Sequence, residues 1–132
     1  MKLLLSIKQL IVALILFLIL DALYLGSVSG EWNKLLLRVQ RAPITLKVLP
    51  AIGVYVLIFY AWYYFVYSSY LKHNSVNLAT KSAFILGFTT YGIYGLTNMA
   101  IINQWRMKHV VMDTLWGSIL YTAVTYLALK YT

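Results

Sequence analysis

The sequence contains no cysteine, and it is poor in acidic residues. Without cysteine the chain has no disulfide, no thiolate metal ligand and no cysteine nucleophile. The acids are Asp21, Glu31 and Asp113, three against 11 Lys and Arg, and charged residues form only 11% of the chain. A soluble domain carries about a quarter charged residues. The shortage of charge argues against a soluble globule and indicates an integral membrane protein.

In place of charged residues the sequence has long apolar runs: 62% of the residues are hydrophobic, and the mean hydropathy is +0.78. Four runs have roughly 20 or more residues, enough to cross a hydrocarbon core of ~30 Å. They cover residues 3–25, 48–71, 78–102 and 110–129. Short connections make consecutive spans alternate in direction. The predicted fold is an all-α membrane protein, with residues 1–132 forming one up-down bundle of four transmembrane helices.

The first run has an alternative interpretation as a signal peptide, with small residues at 27–29 as the cleavage position. Its length and Asp21 near its end favour a retained transmembrane helix. The connection that follows, residues 26–47, is basic, and Trp32, Leu35 and Val39 recur in it at helical spacing. It is predicted to be either a short amphipathic helix in the membrane interface or a solvated loop.

The basic residues that give the chain its net charge of +8 flank the apolar runs. This placement fits anionic lipid head groups, and nucleic-acid binding is not expected. Contacts to head groups or to a protein partner are predicted at Arg38, Arg41, Arg106 and Lys108. The side that carries these residues has six Lys and Arg against five on the other, so orientation stays open.

Residues 89–100 of the third run combine glycines, threonines, tyrosines and one amide. Helices that pack closely in membranes favour such small and hydrogen-bonding residues. The third span is therefore predicted to be the centre of the bundle. The predicted packing positions are Gly87, Gly92 and Gly95 on this span and Gly117 on the fourth.

Chain order predicts a polar cluster within the membrane. Asp21, Asn98 and Asp113 each lie about one turn inside a helix end, and these three ends share one side of the bundle. The two acids are interpreted either as hydrogen-bonded links that fix helix order or as a catalytic or proton-relay site. The spacing of His and Asp matches no known metal site, and nucleophile-elbow and phosphate-loop motifs are absent. Neither metal nor cofactor is predicted.

Three blocks are similar to the DUF2177 family of small predicted membrane proteins. They are residues 20–26 (Leu-Asp-Ala-Leu-Tyr-Leu-Gly), residues 91–100 and residues 113–117 (Asp-Thr-Leu-Trp-Gly), in the family's order. The resemblance implies four membrane helices without an assigned reaction, in bacteria or in large DNA viruses. The family often has an acid before Leu-Thr-Asn, where this chain has Gly95. That departure removes one proton-active group.

The combined prediction is a multi-pass membrane protein with a structural or interaction role. Its setting is the internal membrane of a large DNA virus, where it links lipid to a capsid protein, or else a cell membrane. Its partners are the bilayer and capsid or other membrane proteins, and self-association stays open. The alternative is a small enzyme or transporter that uses Asp21, Asn98 and Asp113 on a lipid-like or small substrate.

Overall fold

A computed structural model describes residues 2–132, in which all regular structure is helical. The helices are α1 (Lys2–Gln40), α2 (Val48–His73), α3 (Val76–Ile101) and α4 (Met107–Lys130). Within α2, the turn Tyr63–Tyr67 is π-helical. The predicted all-α fold of four helices is confirmed.

The first helix is much longer than the predicted span of residues 3–25. It continues without a break to Gln40, so most of the predicted connection 26–47 is helix, and only residues 41–47 join α1 to α2. Gly26 and Gly30 lie within the helix and do not interrupt it. Contacts of Leu35 with Trp105 and Val110 of the α3–α4 connection and α4 hold this extension in place.

Local backbone chemistry explains where two of the helices end. Arg41 adopts a left-handed conformation (φ 56°), which stops α1 just before Pro43. Asn74 does the same after α2 (φ 50°), as short polar residues do at helix ends. Ser75 then caps α3, because its hydroxyl accepts a hydrogen bond from the backbone N–H of Leu78 at 3.1 Å.

The centre of the bundle is α4, so the prediction that the third span is central was wrong. Ten residues of α4 are buried, compared with four of α3. α4 packs against α1 and α3, and Trp62 of α2 reaches its Thr125. The glycines of α3 serve its close contact with α4, whereas Thr89, Thr90 and Thr97 are exposed. α3 also contacts α2, but fewer of its residues are buried than of α4. Small residues mark close approach and not centrality.

Small side chains allow α3 and α4 to lie close together. The buried residues of α3 recur every fourth or eighth position and all are small: Ala79, Ala83, Gly87 and Gly95. A Cβ at Gly87 would lie 2.2 Å from the carbonyl oxygen of Gly117, so the two backbones touch here. Gly92 has more room, since its nearest neighbour, Thr114, would lie 3.7 Å from a Cβ.

The face of α1 that packs inward also follows a four-residue repeat. Gln9, Ala13, Phe17 and Asp21 are buried on it. Phe17 meets Tyr121 of α4 edge to face at a centroid distance of 5.2 Å. Because this stripe is continuous, it carries Asp21 into the same packed face as the apolar side chains before it.

The aromatic second half of α2 divides between core and surface. Trp62 and Tyr67 are buried, and the Tyr67 hydroxyl donates to Gln9 Oε1 at 2.7 Å. Tyr60, Tyr64 and Phe65 are exposed. Only the exposed side chains of this stretch are available to an aromatic belt at the membrane interface.

Three helices, α1, α2 and α4, are long and apolar enough to cross a membrane. α3 has 26 residues and lacks an equally apolar stretch, but it packs along α4 from Gly87 to Gly95 and so occupies the same depth. Large apolar side chains cover the outside of the bundle, among them Leu49, which is 81% exposed. α1, with 39 residues, is about 58 Å long, so its end lies outside a hydrocarbon core of ~30 Å.

Candidate functional site

Asp21 joins three helices through one buried carboxylate. It lies on α1 and is only 7% exposed. Its Oδ1 accepts a hydrogen bond from Trp116 Nε1 of α4 at 3.0 Å, and its Oδ2 accepts one from the Tyr55 hydroxyl of α2. Each carboxylate oxygen is therefore engaged by a different neighbouring helix.

Aromatic packing holds Trp116, the hydrogen-bond donor on α4, in position. The ring of Tyr24, one turn after Asp21 on α1, stacks on Trp116 with 4.5 Å between centroids and 10° between planes. This stacking holds the indole N–H towards Asp21. The Tyr24 hydroxyl is buried and has no hydrogen-bond partner among the described residues.

Asp113 has a different environment from Asp21. It lies one turn before Trp116 on α4 and is partly exposed, and no described residue donates a hydrogen bond to its carboxylate. It lines a cleft of about 350 Å³ between α2 and α3, together with Ile58, Tyr91 and other residues. Trp116, which donates to Asp21, lies one turn from Asp113, so the two acids share one region of the bundle. The structure thus brings the two acids together but engages only one of them.

Asn98 stands apart from this pair. Gly95 faces Val110, with 3.2 Å between a Cβ built at Gly95 and Val110 Cγ1, and Asn98 lies about one turn further towards the α3–α4 connection. Its side chain makes no hydrogen bond with the described residues, and its backbone oxygen accepts from Ile102 N. Thr114 faces Gly92, so Asp113 lies near the level of Gly92, nearly two helical turns from Asn98. Asn98 therefore does not join the two acids in the predicted cluster.

A second polar site lies where α1 leaves the membrane. Seven residues surround a cavity of about 260 Å³, called here the basic cavity; they are Glu31, Lys34, Leu35, Arg38, Arg106, Lys108 and His109. It includes three of the predicted contact residues, Arg38, Arg106 and Lys108. The fourth, Arg41, lies after the end of α1 and does not line it.

Glu31 ties the end of α1 to the start of α4. Lys108 Nζ lies 2.9 Å from Glu31 Oε2, and His109 Nε2 lies 3.1 Å from the Glu31 carbonyl oxygen. Because a carbonyl only accepts, Nε2 is assigned as the donor. Trp32 packs edge-on against the His109 ring at 5.0 Å. These contacts align the basic residues of the two helices around the cavity.

Several residues of these two sites are not predicted by the sequence patterns described above. Tyr55 is the one tyrosine among the mainly aliphatic residues 48–58 of α2. A tyrosine hydroxyl needs a partner when buried, and this was the signal that the sequence offered. Lys34 and His109 join the basic cavity only because α1 continues as a helix past residue 26. Among residues 2–132, no three His, Asp or Glu side chains lie close enough to share a metal ion.

A comparison with known protein families gives a match over most of the chain. Residues 6–130 match the family described as "Predicted membrane protein (DUF2177)". The chain belongs to the DUF2177 family. No curated protein and no solved structure matches it. The DUF2177 match covers α2, α3, α4 and all of α1 from residue 6 onward, so both the Asp21 link and the basic cavity lie within the family region. DUF2177 membership and the three apolar spans make this a small integral membrane protein.

Proposed function

We propose that this chain has a structural and interaction role: a membrane bundle fixed from within by Asp21, whose basic outer end contacts lipid head groups or a partner protein. The observation that carries the proposal is the use of both Asp21 oxygens by Tyr55 and Trp116. A carboxylate occupied in this way links helices and is not free to act on a substrate.

The energetics favour this structural role. A charged side chain inside the bilayer costs ~2.5–3.5 kcal/mol. Hydrogen bonds to a charged group contribute about 1.5–3 kcal/mol each. The two donors to Asp21 are therefore enough to offset its insertion cost and to fix the positions of α1, α2 and α4 relative to one another.

The interaction role is supported by the length of α1. Its last turns carry Lys34 and Arg38 beyond the membrane, and Arg106 and Lys108 lie beside them. Basic groups at this level attract anionic head groups by about 1 kcal/mol each. They are also suited to an acidic protein surface.

The setting we propose is the internal membrane of a large DNA virus, with the basic end linking the lipid layer to the capsid shell. The resemblance of the three sequence blocks to proteins found in such viruses, and the net charge of +8, support this setting. An ordinary cell membrane is the second setting, where the partner is another membrane protein.

One observation favours a second candidate, a small enzyme or transporter. Asp113 lines an open cleft of about 350 Å³ and has no hydrogen-bond donor among the described residues. A carboxylate in a cleft between α2 and α3 suits a lipid-like or small substrate.

Matched substitutions of the two acids separate these candidates. We expect Asp21→Asn to lower folded yield and melting temperature, because the new amide NH₂ cannot accept the bond that a carboxylate oxygen accepted. Asp113→Asn should leave both close to those of the original chain. Yield and thermal unfolding in detergent, and proton flux in reconstituted vesicles, are the measurements. A stable Asp21→Asn protein, together with flux that is lost in Asp113→Asn, would replace the structural proposal with the transporter.

A further inference from the structure

The basic cavity has the composition of an anion site. Four cationic side chains and one carboxylate line it, which gives a formal charge of +3 with His109 neutral. The carboxylate, Glu31, is already paired with Lys108. The guanidinium groups of Arg38 and Arg106, which come from α1 and from the α3–α4 connection, have no acidic partner among the described residues. Two arginines from different elements around one cavity suit an anion with several oxygens.

The cavity also lies at an uncapped helix N-terminus. α4 begins at Met107, and its N-cap residue Arg106 makes no side-chain hydrogen bond to the first turn. That turn contains no acidic residue. The first N–H groups of a helix lack internal partners and carry partial positive charge, so they favour an anion. The positive end of this 24-residue helix therefore adds to the charge of the side chains.

A buried histidine provides the independent sign of a ligand. His109 lines the cavity, is only 4% exposed, and its Nδ1 atom is buried without a hydrogen-bond partner. Its Nε2 faces the Glu31 carbonyl, so Nδ1 is the acceptor in the neutral ring and a donor in the imidazolium. A buried polar atom left unpaired is uncommon. A singly protonated phosphate can donate to Nδ1, and a fully ionised one can accept from the imidazolium.

We propose that the basic cavity binds a phosphate monoester group, with Arg38 and Arg106 as its principal ligands. A monoester has three terminal oxygens and a charge of about −1.5 to −2 at neutral pH, which matches the donors and net charge present. The cavity lies where α1 leaves the membrane, so its natural ligand is the head group of an anionic phospholipid of the phosphatidic acid type. This inference deepens the proposed interaction role and rests on it.

The test uses the chain of 132 residues in a zwitterionic detergent and isothermal titration calorimetry. The probes are dioctanoyl phosphatidic acid, dioctanoyl phosphatidylcholine and inorganic phosphate. The test variants are Arg38→Gln and Arg106→Gln. Arg41→Gln is the matched control, because it removes the same charge from a residue that lies near the cavity without lining it. Helix content measured by circular dichroism verifies that each variant is folded.

We expect saturable binding of phosphatidic acid and none of phosphatidylcholine. Each test variant should weaken binding about tenfold or more, because charge-assisted hydrogen bonds are lost. Arg41→Gln should bind like the original chain. If inorganic phosphate binds as tightly and shows the same dependence on Arg38 and Arg106, the site is upheld with a soluble phosphate compound as its ligand.

Two results would overturn the proposal: equal binding of phosphatidic acid and phosphatidylcholine, or equal weakening by all three arginine variants. Either would reduce the cavity to part of a diffuse basic surface. The proposed structural role would survive that outcome, because it depends on the stability of the Asp21 variant, which is measured separately.

Discussion

Replacing Gly87 with alanine is expected to separate α3 from α4 and to destabilise the protein strongly. The added Cβ would lie 2.2 Å from the Gly117 carbonyl oxygen and 2.8 Å from its carbonyl carbon. Both are backbone atoms of the central helix and cannot rotate away as a side chain could. Overpacking typically costs about 1–3 kcal/mol and occasionally more. We expect a cost at the upper end of that range, because the helices must move apart along their contact.

The same helix offers a matched control. Gly92→Ala adds the same methyl group, but its nearest neighbour is the Thr114 side chain at 3.7 Å, an ordinary contact distance. Alanine also favours helix over glycine by about 1 kcal/mol. Thermal unfolding in detergent, followed by circular dichroism, should therefore show a large fall in melting temperature for Gly87→Ala only. Equal melting temperatures for the two variants would contradict the close approach at Gly117.

The second large effect is expected for Trp62→Ala. Trp62 is fully buried on α2, packs against Phe17 and Tyr67, and donates from Nε1 to Thr125 Oγ1 at 2.8 Å. The residues that follow Trp62, Tyr63–His73, pack against α3, so Trp62 lies at the start of the part of α2 that is attached to the bundle. Truncation of a buried Trp typically costs about 3–5 kcal/mol. We expect loss of α2 packing and a fall in unfolding free energy of that size.

Two further variants show which part of Trp62 matters. Trp62→Phe keeps most of the ring but loses the hydrogen bond, which between membrane helices is worth about 0.6 kcal/mol on average. Its melting temperature should therefore lie between those of Trp62→Ala and the original chain. Tyr64→Ala, at a position 58% exposed on the same helix, should have little effect. If the Trp62 and Tyr64 truncations were equally mild, α2 would not be anchored through Trp62.

The helices could be predicted from the sequence because their signal is simple. An apolar run of sufficient length must form a helix in lipid, where every backbone group needs an internal partner. Helix ends fell within three residues of the prediction for α2, α3 and α4. The end of α1 did not, since its last turns are amphipathic, and such a pattern is shared by a separate interfacial helix and by an extension of the span.

The candidate site was only half predictable. Alternating helices place Asp21 and Asp113 on one side, so their proximity follows from chain order. The partners of Asp21 do not follow from it, because they depend on how each helix is rotated about its axis. Tyr55 and Trp116 face Asp21 only in the packed structure. The depth of Asn98 likewise depends on the register between α3 and α4, which Gly87 and Gly117 fix.

The residues of the basic cavity could likewise be predicted only in part from the sequence. Arg38, Arg106 and Lys108 could be assigned to one side from topology. The contribution of His109 required the extension of α1, whose Glu31 carbonyl orients the ring.

The most direct test of the central claim, that Asp21 links helices, is a double-mutant cycle with Asp21→Asn and Tyr55→Phe. Unfolding free energies of the original chain, both single variants and the double variant are measured in one detergent. We expect the two effects to be coupled by about 0.5–3 kcal/mol, as for residues in direct contact. Effects that add within about 0.5 kcal/mol would show that the two side chains act independently, and would contradict the link.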